Sequence, residues 1–172
     1  MKPFWSQIEE VNLAQGDLLY ECLIPMFAPD FGAPPETALV PVSTADLVIV
    51  TQSCDLENKK VQLVACCPIH TLAKFTEANP RFAKKDYRES VRKGRIEGLH
   101  LLASPENPDN NELALVVDFG QIISLPFDYL ESRAISLGKR WRLDSPFLEH
   151  FSQAFARFFM RVGLPSTVPS FK

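Results

Sequence analysis

The chain has 172 residues, of which 46% are apolar and 23% are charged, and its formal net charge is −3. These values predict one well-packed soluble domain rather than two, and the negative charge argues against unspecific coating of nucleic acid. No apolar run approaches the roughly 18 residues of a membrane span, and the N-terminus lacks the apolar core of a signal peptide. We therefore predict a cytoplasmic protein that has no membrane partner and whose four cysteines are reduced.

The first half of the chain is predicted to be mainly β-structure. The expected elements are a helical turn at 5–11, a strand at 18–24, a proline-rich loop at 25–35, and two strands at 47–51 and 61–68. The last two strands are almost continuously apolar, so both of their faces should be covered. Cys66 and Cys67 should point to opposite faces of the second of these strands.

The second half is predicted to alternate helical and extended segments. A charged helical segment spans about 71–95, with Asn79-Pro80 as a helix start and Gly94 as a stop. The expected strands are 99–102, 113–117 and 121–125, with a break at 118–120.

The clearest helix follows Ser145-Pro146 and is expected to end at Gly163, before Pro165. Its apolar residues recur at spacings of three and four, which predicts one apolar stripe: Phe147, Phe151, Ala154, Phe155, Phe158 and Val162. The stripe is interpreted as core packing. Leu148 and Phe159 widen it, so a face for a partner or for a second copy of the chain stays open.

Three short motifs resemble the PemK/MazF-like toxin family. The run from Gly16 to Leu19 resembles the opening strand of that family. The runs 45–51 and 61–69 resemble its central hairpin, which ends near Pro68-Ile69, and 116–122 resembles a late strand. The resemblance covers about half of the chain.

This resemblance implies an α+β fold, a small SH3-like partly open β-barrel of about five to seven strands. The barrel would span 16–70 and 99–143, with a basic helical insertion at 71–98 and a C-terminal amphipathic helix at 146–162. It also implies an RNA-cleaving relative in a toxin–antitoxin or defence setting. Where the family has a basic residue before the central strand, this chain has Thr44-Ala45-Asp46, without an arginine. Where the family has Thr or Ser after Pro-Ile, this chain has His70.

Cys54 is the candidate nucleophile for a different chemistry. A thiol nucleophile needs a base within hydrogen-bond reach, and the candidate bases are His70, His100 and His150. We expect instead that Cys54 is a small buried residue beneath the hairpin and that Asp55 caps the polar turn through backbone N–H groups.

No metal or other cofactor is predicted. Cys54, Cys66, Cys67 and His70 include the residue types that bind zinc, but they lack a Cys-x-x-Cys spacing. Adjacent strand cysteines also diverge, whereas zinc needs convergent ligands.

The strongest binding signal is a basic segment at 81–95, which we call the basic segment. It holds seven basic and two acidic residues, a net charge of +5 in a chain whose total is −3. Its basic residues are Arg81, Lys84, Lys85, Arg88, Arg92, Lys93 and Arg95. Five of them, Arg81, Lys84, Arg88, Arg92 and Arg95, recur at helical spacing. Such a stripe can engage RNA, DNA or an acidic protein, although a solvated helix face with local ion pairs is the alternative.

We therefore predict an intracellular nucleic-acid- or partner-binding module that is catalytically weak or inactive, and a homo-oligomer is possible. The first alternative is an endoribonuclease that uses Arg or Lys from the insertion together with Thr51 and His70. The second alternative is a hydrolase that depends on Cys54.

Overall fold

The computed structural model describes residues 3–27 and 40–160, which form an α+β fold. The strands of the described part are β1 (Trp5–Ile8), β2 (Asp17–Pro25), β3 (Val42–Ile49), β4 (Leu63–Thr71), β5 (Leu99–Leu102), β6 (Leu115–Asp118), β7 (Ile123–Pro126) and β8 (Arg140–Leu143). The α-helices are α1 (Ser53–Glu57), α2 (Leu72–Ala78), α3 (Lys85–Arg92), α4 (Phe127–Leu137) and α5 (Phe147–Phe159). Short 3₁₀ helices lie at Pro80–Ala83, Asn111–Leu113 and Phe119–Gln121.

All eight strands belong to one antiparallel sheet, in which seven follow the order β1-β8-β2-β3-β4-β6-β5 and β7 pairs with β4 beside that path. Strand β4 is long enough to carry two partners on one edge, because Val64 pairs with Leu125 of β7 and Ile69 pairs with Val117 of β6. Among the described residues the sheet does not close into a barrel, and it has one strand more than the upper limit of five to seven that the sequence predicted.

The central strands are apolar on both sides because each side of the sheet is covered by a helix. On one side Leu47, Ile49 and Cys66 pack in a cluster with residues of α4. On the other side Val48 and Cys67 pack in a cluster with residues of α5. The prediction that the two cysteines point to opposite faces is confirmed.

The segment between β4 and β5 forms a third layer over the far end of the sheet. Phe75 of α2, Phe82 of the first 3₁₀ helix and Val91 of α3 pack against Val116 of β6. The predicted helical segment is thus confirmed, but it is broken into three pieces rather than continuous. Gly94 follows α3 with a φ of +66°, the left-handed conformation expected at a helix end.

Three local predictions are wrong. The expected helical turn at 5–11 contains strand β1, which pairs with β8. The polar turn between β3 and β4 is helix α1, and the region from Phe127 to Leu143 contains a helix and a strand that were not predicted. The terminal helix is confirmed over Phe147–Phe159. Val162, Gly163 and Pro165 lie outside the described residues, as does the 28–35 part of the proline-rich loop.

A buried ion pair anchors the start of β2 to β8. The Asp17 and Arg140 side chains are fully buried, and Arg140 Nε donates to Asp17 Oδ2 at 3.0 Å. Arg142 Nε also donates to the Asp17 carboxylate. The Arg140 guanidinium further donates to the carbonyls of Glu10 and Asn12. The pair therefore fixes the connection between β1 and β2 against the sheet.

Candidate anion-binding groove

The segment after β3 ties neighbouring loops together through hydroxyl groups. Thr51 Oγ1 accepts a hydrogen bond from the Ala65 amide at 2.8 Å, and Ser53 Oγ accepts one from the Gln15 amide at 3.0 Å. Thr51 thereby extends the backbone pairing between the end of β3 and the start of β4. The structure gives Thr51 a structural role, and its catalytic role stays a prediction.

Cys54 is exposed, whereas the other three cysteines are buried. The expectation of a buried Cys54 is wrong because the polar turn is helix α1, which buries Leu56 and turns Cys54 outward. The Cys54 Sγ atom lies 3.7 Å from Gln52 Oε1 and 3.9 Å from Asp55 Oδ1. In the described part of the chain no histidine is hydrogen-bonded to this thiol, so none of the three candidate histidines serves as its base.

Asp55 and His70 are far apart: Asp55 belongs to α1, and His70 lies near the end of β4. The prediction that Asp55 caps a turn is wrong: its carboxylate accepts no backbone hydrogen bond within 3–27 and 40–160, and its nearest cation is Lys60, at 4.0 Å. The chain enters α1 beside Ala65, which accepts hydrogen bonds from the amides of Val50 and Thr51. His70 is five residues farther along β4, about 16 Å at the rise of an ideal strand. Its pKa is lowered by burial and by Lys74, against the opposing effect of nearby carboxylates.

The basic segment does not form one helical stripe. Arg81 belongs to the 3₁₀ helix, Lys84 precedes α3, and Arg95 follows it, so only Arg88 and Arg92 of the predicted stripe share a helix. The remaining basic residues of the segment are Lys85 and Lys93, one at each end of α3.

Two carboxylates bind three of these cations. Arg88 Nη1 lies 2.9 Å and 3.0 Å from the two Glu112 carboxylate oxygens, so Arg88 fastens α3 to the loop before β6. Glu89 accepts two hydrogen bonds from Arg92 and lies 3.0 Å from Lys93 Nζ. The hydrogen bonds from Arg92 and Lys93 lower the pKa of Glu89 to about 2, so Glu89 is charged at neutral pH.

Arg92 and Lys93 line a groove that the sequence did not predict. The groove has a volume of about 410 Å³ and runs between the end of α3, strand β5 and helix α5. Arg157 of α5 lines the opposite side, and no acidic side chain is among the described residues that line it. We call it the α3–α5 groove. Arg92, Lys93 and Glu89 together carry a formal charge of +1, which Arg157 raises to +2.

Two histidines also line the α3–α5 groove. His100 belongs to β5 and is half-buried against the rings of Phe119 and Phe151, and His150 is exposed on α5. Burial, with a smaller effect of His150, lowers the pKa of His100 to about 4. His100 is therefore neutral at pH 7. Its imidazole has no hydrogen-bond partner in the described part of the chain. In that part, every side-chain nitrogen that is fully buried does have a partner. Its nitrogens are therefore not fully buried, and His100 lines both this groove and the neighbouring pocket beside Glu97.

The groove also has an aromatic wall. Phe4 and Phe147 stack on one another with ring centroids 4.0 Å apart and an interplanar angle of 24°. Both residues line the groove and both are half-buried. The groove thus combines cations, an uncharged imidazole and a stacked aromatic pair.

The burial of His100 predicts that the protein loses stability in weak acid. The folded-state pKa is about 4, while that of an unfolded histidine is about 6.5. Between about pH 6.5 and about pH 4, His100 is protonated in the unfolded chain but neutral in the folded protein. The unfolding free energy should therefore fall by about 2 kcal/mol between pH 7 and pH 5. His70, whose pKa is also lowered, acts in the same direction.

Urea denaturation at the two pH values measures this effect. His100→Asn should remove the larger part of the difference and leave the part due to His70. An unfolding free energy that is the same at pH 5 and pH 7 would contradict the burial of a neutral His100.

The groove residues outside the basic segment gave only weak signals in the sequence. Arg157 and His150 belong to the polar side of the predicted terminal helix, where a charge is ordinary. Phe147 was assigned to the apolar stripe. No sequence pattern around Phe4 or His100 indicated a binding site. Among the described residues, no three His, Cys, Asp or Glu side chains are grouped so that they could hold a metal ion.

No described helix combines the length and apolar character that crossing a membrane requires. No protein-family model matches this chain, and no curated protein matches it by sequence. The function must therefore be inferred from the geometry and charge of the groove.

Proposed function

We propose that the protein is an intracellular nucleic-acid-binding module that contacts backbone phosphates through the α3–α5 groove. One observation carries the proposal. Arg92 at the end of α3, Lys93 directly after it and Arg157 of α5 line the same groove, without an acidic lining residue among those described, in a chain whose net charge is −3. A positive groove on a negative protein concentrates its attraction for polyanions at one place.

The chemistry of the groove suits phosphate groups. Arginine presents a planar fork of donors that can bind a phosphate through two hydrogen bonds. Glu89 holds Arg92 by two bonds, which fixes the guanidinium while other N–H groups remain. Arg157 is exposed on α5, so its guanidinium can be reached from solvent; it also lines the neighbouring pocket that contains Glu97.

The resemblance to PemK/MazF-like toxins supports an SH3-like origin for the sheet and a toxin–antitoxin or defence setting. The succession of β2, β3 and β4 followed by β6 is compatible with that origin. The distance of His70 from Thr51 and Cys54 along β4 favours a binding module with weak or no catalysis. The endoribonuclease and hydrolase alternatives stay predictions.

Reversing the charge of Arg157 tests the proposal. We expect the full chain to bind a single-stranded oligonucleotide with an affinity that decreases steeply with salt, because binding releases counterions from the phosphates. Arg157→Glu should weaken binding about tenfold at 0.1 M salt and reduce the slope of log K against log salt by about 0.7, the value for one phosphate contact on a single strand. Fluorescence anisotropy over a salt series measures both quantities.

Lys139→Glu is the matched control. Lys139 is exposed, pairs with Glu9 and lies in the turn between α4 and β8, outside the groove. The same change of charge there should leave the affinity within about twofold. Equal losses in the two variants, salt-independent binding, or binding of an acidic peptide in place of the oligonucleotide would contradict the proposal.

A further inference from the structure

We infer that the α3–α5 groove binds a single unstacked nucleoside phosphate, with the phosphate at the cations and the base at the aromatic pair. This inference rests on the proposed function and specifies the ligand of the same groove. It follows from how the two kinds of side chain are arranged. The cations Arg92, Lys93 and Arg157 and the rings of Phe4 and Phe147 line one groove rather than separate surfaces.

The size of the groove limits what can enter. Its volume of about 410 Å³ lies within the range of about 300–1,000 Å³ that is usual for small-ligand pockets. A nucleic-acid duplex is far wider than such a groove, and its bases are already stacked and paired. A base that is free to stack on a protein ring belongs to a single strand or to a free nucleotide.

The aromatic wall makes the site more than a patch of positive charge. Phe4 and Phe147 are stacked with an interplanar angle of 24°, and both are half-buried. Aromatic faces accept any base, so this wall selects nucleotides over inorganic anions without selecting a particular base.

His100 adds an uncharged hydrogen-bonding group to the same groove. Its nitrogens have no hydrogen-bond partner within 3–27 and 40–160 and are not fully buried, and the residue lines the groove. A neutral imidazole has one N–H donor and one nitrogen acceptor. It can therefore bond a base edge or a ribose hydroxyl that lies between the cations and the rings.

The test compares uridine 5′-monophosphate, adenosine 5′-monophosphate and inorganic phosphate in NMR titrations of the full chain at low salt. Both nucleotides should bind at least tenfold more tightly than phosphate, with shifts at His100 and His150. Phe147→Leu should weaken nucleotide binding about tenfold, the effect of losing one base stack, and leave phosphate binding within about twofold. Arg157→Gln should weaken all three ligands.

Phe159→Leu is the control for the aromatic change. Phe159 belongs to the same helix, is 54% exposed and does not line the groove, so its variant should bind like the wild type. Equal affinities for nucleotide and phosphate, or equal effects of the two leucine variants, would overturn the inference.

A single-stranded tetranucleotide and heparin complete the experiment. A tetranucleotide that binds more than tenfold more tightly than the mononucleotide would identify a strand as the source of the nucleotide. Equal affinities would identify a free nucleoside phosphate. If heparin and the strand bind with steep salt dependence while nucleotides bind no better than phosphate, this inference fails and the proposed function stands. If nucleotides bind at the groove and no strand binds, the proposed function fails.

Discussion

Asp17→Asn is expected to destabilise the fold by about 3–5 kcal/mol, because it leaves a buried guanidinium without its counter-charge. Asp17 and Arg140 are both fully buried, and their side chains are 3.0 Å apart. The Asp17 carboxylate also accepts from Arg142 and from the Ala14 amide. Asparagine keeps the shape of the side chain but removes the charge and one acceptor oxygen. The expected loss is a large part of the 5–15 kcal/mol that is typical of a domain.

Denaturant titrations of the variant and the wild type measure this loss. Glu10→Gln is the control, because the Glu10 carboxylate pairs with Arg142 at the surface, with 65% of the Glu10 side chain exposed. A surface pair of this kind should contribute about 0–1 kcal/mol. An Asp17→Asn variant that loses less than about 1 kcal/mol would show that the buried pair does not anchor β2 to β8.

The second large effect is expected at Phe151. This ring is fully buried between α5 and the sheet and contacts Phe119 with centroids 5.6 Å apart. Phe151→Ala should cost about 3–5 kcal/mol, through lost burial and the cavity that remains. Phe155 is half-buried in the same stripe and should cost less, and Phe159, which is 54% exposed, should cost least.

The unfolding free energies of the three alanine variants test this order. The order follows the exposure of each ring and distinguishes a core stripe from an interface. If Phe159→Ala were as damaging as Phe151→Ala and the loss depended on protein concentration, α5 would form an interface between copies of the chain.

The secondary-structure elements that were predicted from the sequence are those whose apolar pattern lies within the element itself. Strands β2, β4 and β5 and helix α5 carry apolar runs or stripes that specify their own geometry. Strand β1 was assigned as helical because it is short, and its structure depends on pairing with Arg140–Leu143, far along the chain. Helix α4 was missed although Phe127, Leu130 and Ala134 are buried at spacings of three and four, so its signal was present in the sequence.

Only one wall of the candidate site was predicted from the sequence. The basic segment is evident from composition, but the sequence could not show that Arg88 turns to Glu112 while Arg92 lines a groove. The other wall, with Arg157 and Phe147, meets α3 only through the tertiary fold. The burial of Cys54 was predicted wrongly for a related reason, because a polar turn and a short helix have similar sequences.

Mapping a photo-crosslinked nucleotide tests the groove most directly. A single-stranded oligonucleotide that carries 4-thiouridine is irradiated with the full chain, and the modified peptides are identified by mass spectrometry. We expect adducts on Phe4, Phe147 or His150, which line the groove, and we expect Arg157→Glu to reduce their yield. Adducts confined to 81–85 or to the exposed face of α1, with the same yield in Arg157→Glu, would contradict nucleic-acid binding in the α3–α5 groove.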